Sequence, residues 1–178
     1  MSWNVDASWT LFLDRDGVIN ERIMKGYVTS TREFRFTHGA PEAIARLSDL
    51  FKHVFVVTNQ QGIAKGLMTE KQLQEIHIMM HQEVEKAGGK ITRTYYAPGI
   101  SSPQNQMRKP NPGMAYQAKR HFPEVDFAKS VMVGDTDSDI LFGQRLGMRT
   151  VRIKTVEPMN IPADLSVENL TELLNCWL

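Results

Sequence analysis

In Leu11-Phe12-Leu13-Asp14-Arg15-Asp16-Gly17-Val18-Ile19-Asn20 an apolar run passes without a break into two carboxylates and a glycine. Leu11 to Leu13 is too apolar for a strand with one wet face and reads as a buried strand of a parallel sheet. Val54 to Val57, Thr94 to Tyr96, Val131 to Val133 and Thr150 to Ile153 read the same way. Between these runs the apolar period changes to that of helices. Ala43, Ile44, Leu47 and Leu50 follow Pro41, which suits a first helical turn. Thr69 with Gln72 forms a capping-box pattern that opens a helix to about Lys86, stopped by Gly88-Gly89. Further helices are predicted from Pro112 to His121, from Thr136 to Leu146 and from Asn169 to Trp177. The order βαβαβαβα predicts an α/β fold with a doubly wound parallel sheet. No repeat, low-complexity segment or charge block divides residues 1–178, so one domain is expected.

Composition narrows the function classes. The chain has 178 residues, of which 42% are hydrophobic and 23% charged, with 21 Lys and Arg against 20 Asp and Glu. A chain of this size buries about 70% of its unfolded surface and needs no metal or disulfide staple to hold a core. The net charge of +1 argues against a basic surface for nucleic acid and against a polybasic membrane patch. No apolar run approaches the roughly 18 residues of a membrane span. With a single cysteine, Cys176, and no basic-then-apolar leader pattern at Met1 to Asp6, a cytoplasmic protein is expected.

Ligands of doubly wound sheets bind beyond the carboxyl ends of the strands. Here those ends carry Asp14-Arg15-Asp16-Gly17, Thr58-Asn59-Gln60 and Gly134-Asp135-Thr136-Asp137-Ser138-Asp139. An isolated Asp at such a place is most often a helix cap or a turn former. Capping does not explain an Asp-x-Asp-Gly abutting one buried strand together with a Gly-Asp-x-x-x-Asp abutting another. Carboxylates gathered at one sheet edge repel one another unless a divalent cation sits among them, and an all-oxygen set selects a hard ion such as Mg²⁺. Asp137 is expected to face solvent or cap a helix.

With these motifs in hand, the sequence resembles the haloacid dehalogenase superfamily of phosphotransferases. Leu11 to Asn20 resembles its first motif, Val56-Val57-Thr58-Asn59-Gln60 the second, Arg108-Lys109-Pro110 the third, and Val133-Gly134-Asp135 to Asp139 the fourth. Gly26-Tyr27-Val28, Gln61-Gly62-Ile63-Ala64, Tyr95-Tyr96-Ala97-Pro98 and Arg108 to Met114 narrow the resemblance to the histidinol-phosphatase-like branch. Within it they are most similar to the D-glycero-D-manno-heptose 1,7-bisphosphate phosphatases. Members of that branch usually carry a zinc loop. Here Ala97 and Gly99 stand where a Cys and a His would be, and Asn105 and Met107 where a Cys pair would be, so no zinc is expected.

The resemblance implies a Mg²⁺-dependent phosphatase acting on a small phosphorylated sugar. Asp14 would be the nucleophile, and Asp16 the acid and then the base. Thr58 and Lys109 would hold the phosphoryl group, while Asn59, Gln60 and Arg108 touch the rest of the substrate, Arg108 at a second phosphate. Asp14, the carbonyl of Asp16 and Asp135 would bind the metal, with Asp139 orienting them. Asp16 to Pro41 leaves room for a flap and Tyr96 to Arg108 for a loop, so the fold should be capless. Alternatives are a phosphatase for another metabolite such as histidinol phosphate, or for nucleic-acid ends, which the net charge disfavours. A signalling receiver domain is a third, disfavoured because a receiver needs no acid two residues after its phospho-acceptor. His77 and His81, one helical turn apart, lack a third ligand and are expected on a solvated or partly packed helix face. Trp3, Trp9 and Trp177 are expected to tie down the chain ends or form a subunit contact.

Overall fold

Strand β1 (Thr10–Leu13) lies at the centre of the sheet, and all four of its residues are buried. The computed structural model describes residues 3–177. The chain continues through α1 (Ala40–Leu50), β2 (His53–Asn59), α2 (Glu70–Lys86), β3 (Arg93–Ala97), α3 (Gly113–His121), β4 (Ser130–Gly134), α4 (Asp137–Arg145), β5 (Arg149–Ile153), β6 (Leu165–Val167) and α5 (Leu170–Asn175). The strands form one parallel sheet in the order β3-β2-β1-β4-β5-β6. It is the α/β, doubly wound arrangement expected, with one strand more. β6 escapes a reading by apolar runs because it is three residues long, sits at the sheet edge and buries only Val167 fully.

The period of two along each strand sorts the core onto two faces. Leu11, Leu13, Val54, Val56, Val131 and Val133 pack with Ile44 and Leu47 of α1, Ile76 and Met80 of α2 and Leu173 of α5. Phe12, Phe55, Val57 and Met132 point the other way, onto Met114 and Ala118 of α3 and Phe142 of α4. Truncating a side chain as enclosed as Phe12 to Ala would cost about 3–5 kcal/mol. The Thr69 capping box forms as read, with Gln72 N–H donating to Thr69 Oγ1 at 3.1 Å and Thr69 N–H to Gln72 Oε1 at 2.8 Å. Trp3 and Trp177 lie 6.3 Å apart between ring centroids, and Trp177 meets Phe51, the residue that follows α1, edge-on.

β1 pairs with both β2 and β4, and the winding of the chain reverses between β1 and β4. A crevice opens at such a switch point. Nothing large covers it. Between Asp16 and α1 the chain makes turns and two isolated bridges, Asp16 with Asn20 and Asn20 with Phe36, and between β3 and α3 it forms no regular element.

Candidate active site

Asp14 extends β1 by one residue, its N–H donating to Val133 O at 2.9 Å. Its carboxylate therefore stands at the switch point by virtue of the sheet. Lys109 enters from the loop before α3 and is 3% exposed. Its Nζ meets Asp14 Oδ1 at 2.8 Å, Asp139 Oδ1 at 2.6 Å and Val57 O at 2.7 Å. Asp14 Oδ1 and Val57 O accept hydrogen bonds from this ammonium, and Asp139 Oδ1 pairs with it by charge. Burial alone would lower the Lys109 pKa, but Asp139 and Asp14 outweigh it and raise it. Asp139 uses its other oxygen, Oδ2, to accept from Thr136 N–H at 3.0 Å and Thr136 Oγ1 at 2.7 Å, closing the first turn of α4.

One oxygen each from Asp14, Asp135 and Asp139 lies within 4.8 Å of the other two. Burial and then the Asp139 charge push the Asp14 carboxyl up to about 7 against the pull of Lys109. Burial likewise pushes Asp135 up. The chain presses close here: a Cβ on Gly17, whose φ is 88°, would lie 2.1 Å from Asp135 Oδ2, so glycine is required on both counts. Crowded, destabilised, all-oxygen donors are what a hard divalent cation relieves, and the donor set fits Mg²⁺.

Asp16 faces a different environment. Arg15, fully buried, donates from Nη2 to its Oδ1 at 2.9 Å and Oδ2 at 3.1 Å. Asn20 Nδ2 reaches Oδ1 at 3.0 Å and Gln60 Nε2 reaches Oδ2 at 2.9 Å. Burial would raise the Asp16 pKa, but Arg15 and these amide donors lower it, so its resting form is the carboxylate. Behind Arg15 lies His77, with Arg15 Nη1 3.3 Å from its Nε2. His77 is thus corrected from a solvated or partly packed position to a buried one, because α2 packs its face against the fully enclosed guanidinium. His81 is half-buried, with Nε2 2.9 Å from Thr94 Oγ1.

The remaining expected residues divide into two groups. Asn59, Arg108 and Lys109 line a cleft of about 530 Å³ together with Asp14 and Asp16. Asn59 clamps the Lys109 backbone from both sides, accepting from its N–H at 3.0 Å and donating to its carbonyl at 3.2 Å. Arg108 Nη1 is enclosed and has no hydrogen-bond partner among the described residues. Thr58 and Gln60 are buried behind the cleft wall, where Gln60 Nε2 donates to Thr58 Oγ1 at 2.8 Å. Asp137 caps no helix, since Thr136 is the cap of α4; its carboxylate instead anchors Arg152 Nη2 and the N–H groups of Asn160 and Ile161.

Several cleft residues went unread in the sequence. Lys25 and Lys65 add positive charge to the wall, and Lys65 Nζ and Gln61 Nε2 donate to Tyr27 Oη at 3.0 Å and 2.8 Å. Arg22, on the flap after β1, pairs with Asp135 at 2.8 Å. No motif marks it; only its place shortly after Asn20 could have drawn attention.

Residues 106–173 match the family model described as HAD-hydrolase-like. The D-glycero-alpha-D-manno-heptose-1,7-bisphosphate 7-phosphatase of Photorhabdus laumondii is 34% identical over 164 residues, covering 88% of both chains. The D-glycero-beta-D-manno-heptose-1,7-bisphosphate 7-phosphatase of Vibrio cholerae is 36% identical, covering 86% of this chain and 85% of its own. Among solved structures, D,D-heptose 1,7-bisphosphate phosphatase from B. bronchiseptica, crystallised with magnesium and phosphate, superposes with a TM-score of 0.85 at 30% identity, covering 94% of this chain and 96% of that one.

Proposed function

The chain belongs to the heptose-1,7-bisphosphate 7-phosphatase family of HAD-like hydrolases, and from that premise we propose that it removes the 7-phosphate of D-glycero-D-manno-heptose 1,7-bisphosphate. The observation that carries the reading is Asp14 at the floor of an open cleft, with an acid that keeps its own donors two residues away and cations around the wall. Asp14, the carbonyl of Asp16 and Asp135 would hold Mg²⁺. When bound, the metal screens the carboxylates from the phosphate and stabilises charge on the phosphoryl oxygens.

Asp14 Oδ attacks phosphorus in line, the P–O bond to C7 breaks, and Asp16, protonated for this half-reaction, gives its proton to the leaving oxygen. The depressed pKa of Asp16 suits the second half, in which its carboxylate takes a proton from water attacking the aspartyl phosphate. Lys109 holds the nucleophile and neutralises the transferring group. Asn59 fixes the Lys109 loop, and Gln60 with Thr58 fixes Asp16. Arg108, with an unpartnered donor, takes the phosphate that stays on C1. The loop before Arg108 is braced by Asn105 Nδ2, which bonds Ile100 O at 3.0 Å, and by Asn111 Nδ2, which bonds Asn105 O at 3.0 Å.

Following ³¹P resonances of the α- and β-bisphosphates separately in the presence of Mg²⁺ tests the reading. Loss of the C7 signal with the C1 signal retained is the expected result. No release from either anomer overturns the substrate, and release from C1 first reverses the assigned orientation.

A further inference from the structure

One flap side chain reaches the centre of the site. Arg22 Nη2 donates to Asp135 Oδ1 at 2.8 Å and to the Asp16 carbonyl at 3.0 Å, while its Nε donates to Asp135 Oδ2 at 3.2 Å. The guanidinium is thereby forked onto both oxygens of one carboxylate and bridged to a backbone oxygen. Those are two of the three groups assigned above to the metal. We infer that Arg22 is a tethered cation that competes with the divalent metal for Asp135 and the Asp16 carbonyl, so that the site loads only as Arg22 leaves. The inference rests on the metal-dependent phosphatase reading and adds a device that sets its metal affinity.

Geometry and charge favour such an exchange. Asp135 is buried, with a side-chain exposure of 0%, and a buried carboxylate needs a cationic partner. Arg22 supplies one from a long stem on a flap, with 29% of its side chain exposed, so it can leave by rotating side-chain bonds alone. An outer partner stands near, since Glu157 Oε1 is 3.7 Å from Arg22 Nε. The fork engages both oxygens of Asp135 and the Asp16 carbonyl, and a divalent cation drawn to the same oxygens would meet the guanidinium charge at close range, so the two cations compete. The consequence for affinity is arithmetic: if the fork is closed nine-tenths of the time, the apparent Kd for metal is about tenfold weaker than the intrinsic one.

The test measures Mg²⁺ binding by calorimetry to the full chain and to Arg22→Met and Arg22→Lys, without substrate. Arg22→Met should bind about tenfold more tightly. A mere change of local field would tighten Arg22→Met and leave Arg22→Lys at the wild-type value. Competition predicts that Arg22→Lys is tighter too, because an ammonium lacks the planar fork. In wild-type protein carrying ¹⁵N-arginine, the Arg22 Nε–H resonance, identified by its loss in Arg22→Lys, should move with Mg²⁺ along the same binding curve. That readout stands even if a variant folds poorly. Equal Kd values, or an Arg22 resonance unmoved at saturation, overturn the inference alone. Absence of Mg²⁺ binding by every form overturns the metal reading and the inference with it.

Discussion

Around Asp14 two acids share one ammonium and a third, Asp135, is held by Arg22, whereas around Asp16 one acid is shared by three donors. Only Arg15 separates the two acids in the sequence, yet their carboxyls are driven apart, Asp14 up to about 7 and Asp16 downward. The difference comes from what each strand end brings. The end of β4 and the first turn of α4 deliver Asp135 and Asp139 beside Asp14, while Arg15, Asn20 and Gln60 close on Asp16. Environments that separate the pKa values of neighbouring acids assign their roles. The crowded one is a site that a hard cation would relieve, and the well-donated one rests as a carboxylate.

The largest effect should follow from removing the crowded acid. Asp14→Asn should lower phosphate release by at least about 10⁴-fold and leave no covalent phosphate detectable by intact mass. It should also change stability in a pH-dependent way. With its folded pKa raised, Asp14 contributes stability that is present below the ordinary carboxylate range and lost as pH rises through about 7. In metal-chelating buffer at pH 8, Asp14→Asn should therefore melt above the wild type, by on the order of 1 kcal/mol or about 2–4 °C. Near pH 4 the two should coincide. A variant less stable than wild type at pH 8 would remove the electrostatic basis of the comparison.

The next effect should come from the well-donated acid. Asp16→Asn should cost about 10²–10⁴ on the sugar bisphosphate, where the leaving alkoxide needs a proton. With p-nitrophenyl phosphate the leaving group needs none, so Asp14 should still be phosphorylated and the intermediate should persist, readable as an added phosphate by mass. Full activity of Asp16→Asn on the sugar substrate would sink the assignment of acid and base.

Both regions were legible in the sequence to different depths. The sheet was, because Leu11 to Leu13 and Val131 to Val133 are buried on both faces and so read as unbroken apolar runs. Asp14, Asp135 and Lys109 were, because a strand end fixes where each side chain or its loop must arrive. What surrounds Asp16 was not. Arg15 looks like any charged residue after a strand, and only the tertiary packing of α2 shows it enclosed against His77. Arg22 was hidden for the same reason: its partner Asp135 is distant in sequence, and no local pattern couples a flap to β4. Short range reveals which acids converge, and long range decides which cations meet them.

The smallest effect belongs to His77, the outer member of the Asp16 side. A guanidinium only donates, so Nε2 of His77 must carry the lone pair that faces Arg15 Nη1, and protonating it would set N–H against N–H. Burial first, and then the Arg15 charge, lower its pKa to about 3. The sign follows directly. The unfolded chain takes up this proton near the ordinary histidine value, while the folded chain refuses it until about 3, so His77 costs stability as pH falls through that window. The cost is bounded by about 1.4 kcal/mol per pH unit for one proton. His77→Gln keeps an acceptor for Arg15 and has nothing to titrate. Its denaturant-derived stability should match the wild type to within about 1 kcal/mol at pH 7.5 and fall less steeply from pH 6 to pH 4. Parallel pH profiles would mean that His77 protonates in place, and the Asp16 side would then owe its low pKa to Arg15, Asn20 and Gln60 without help from α2.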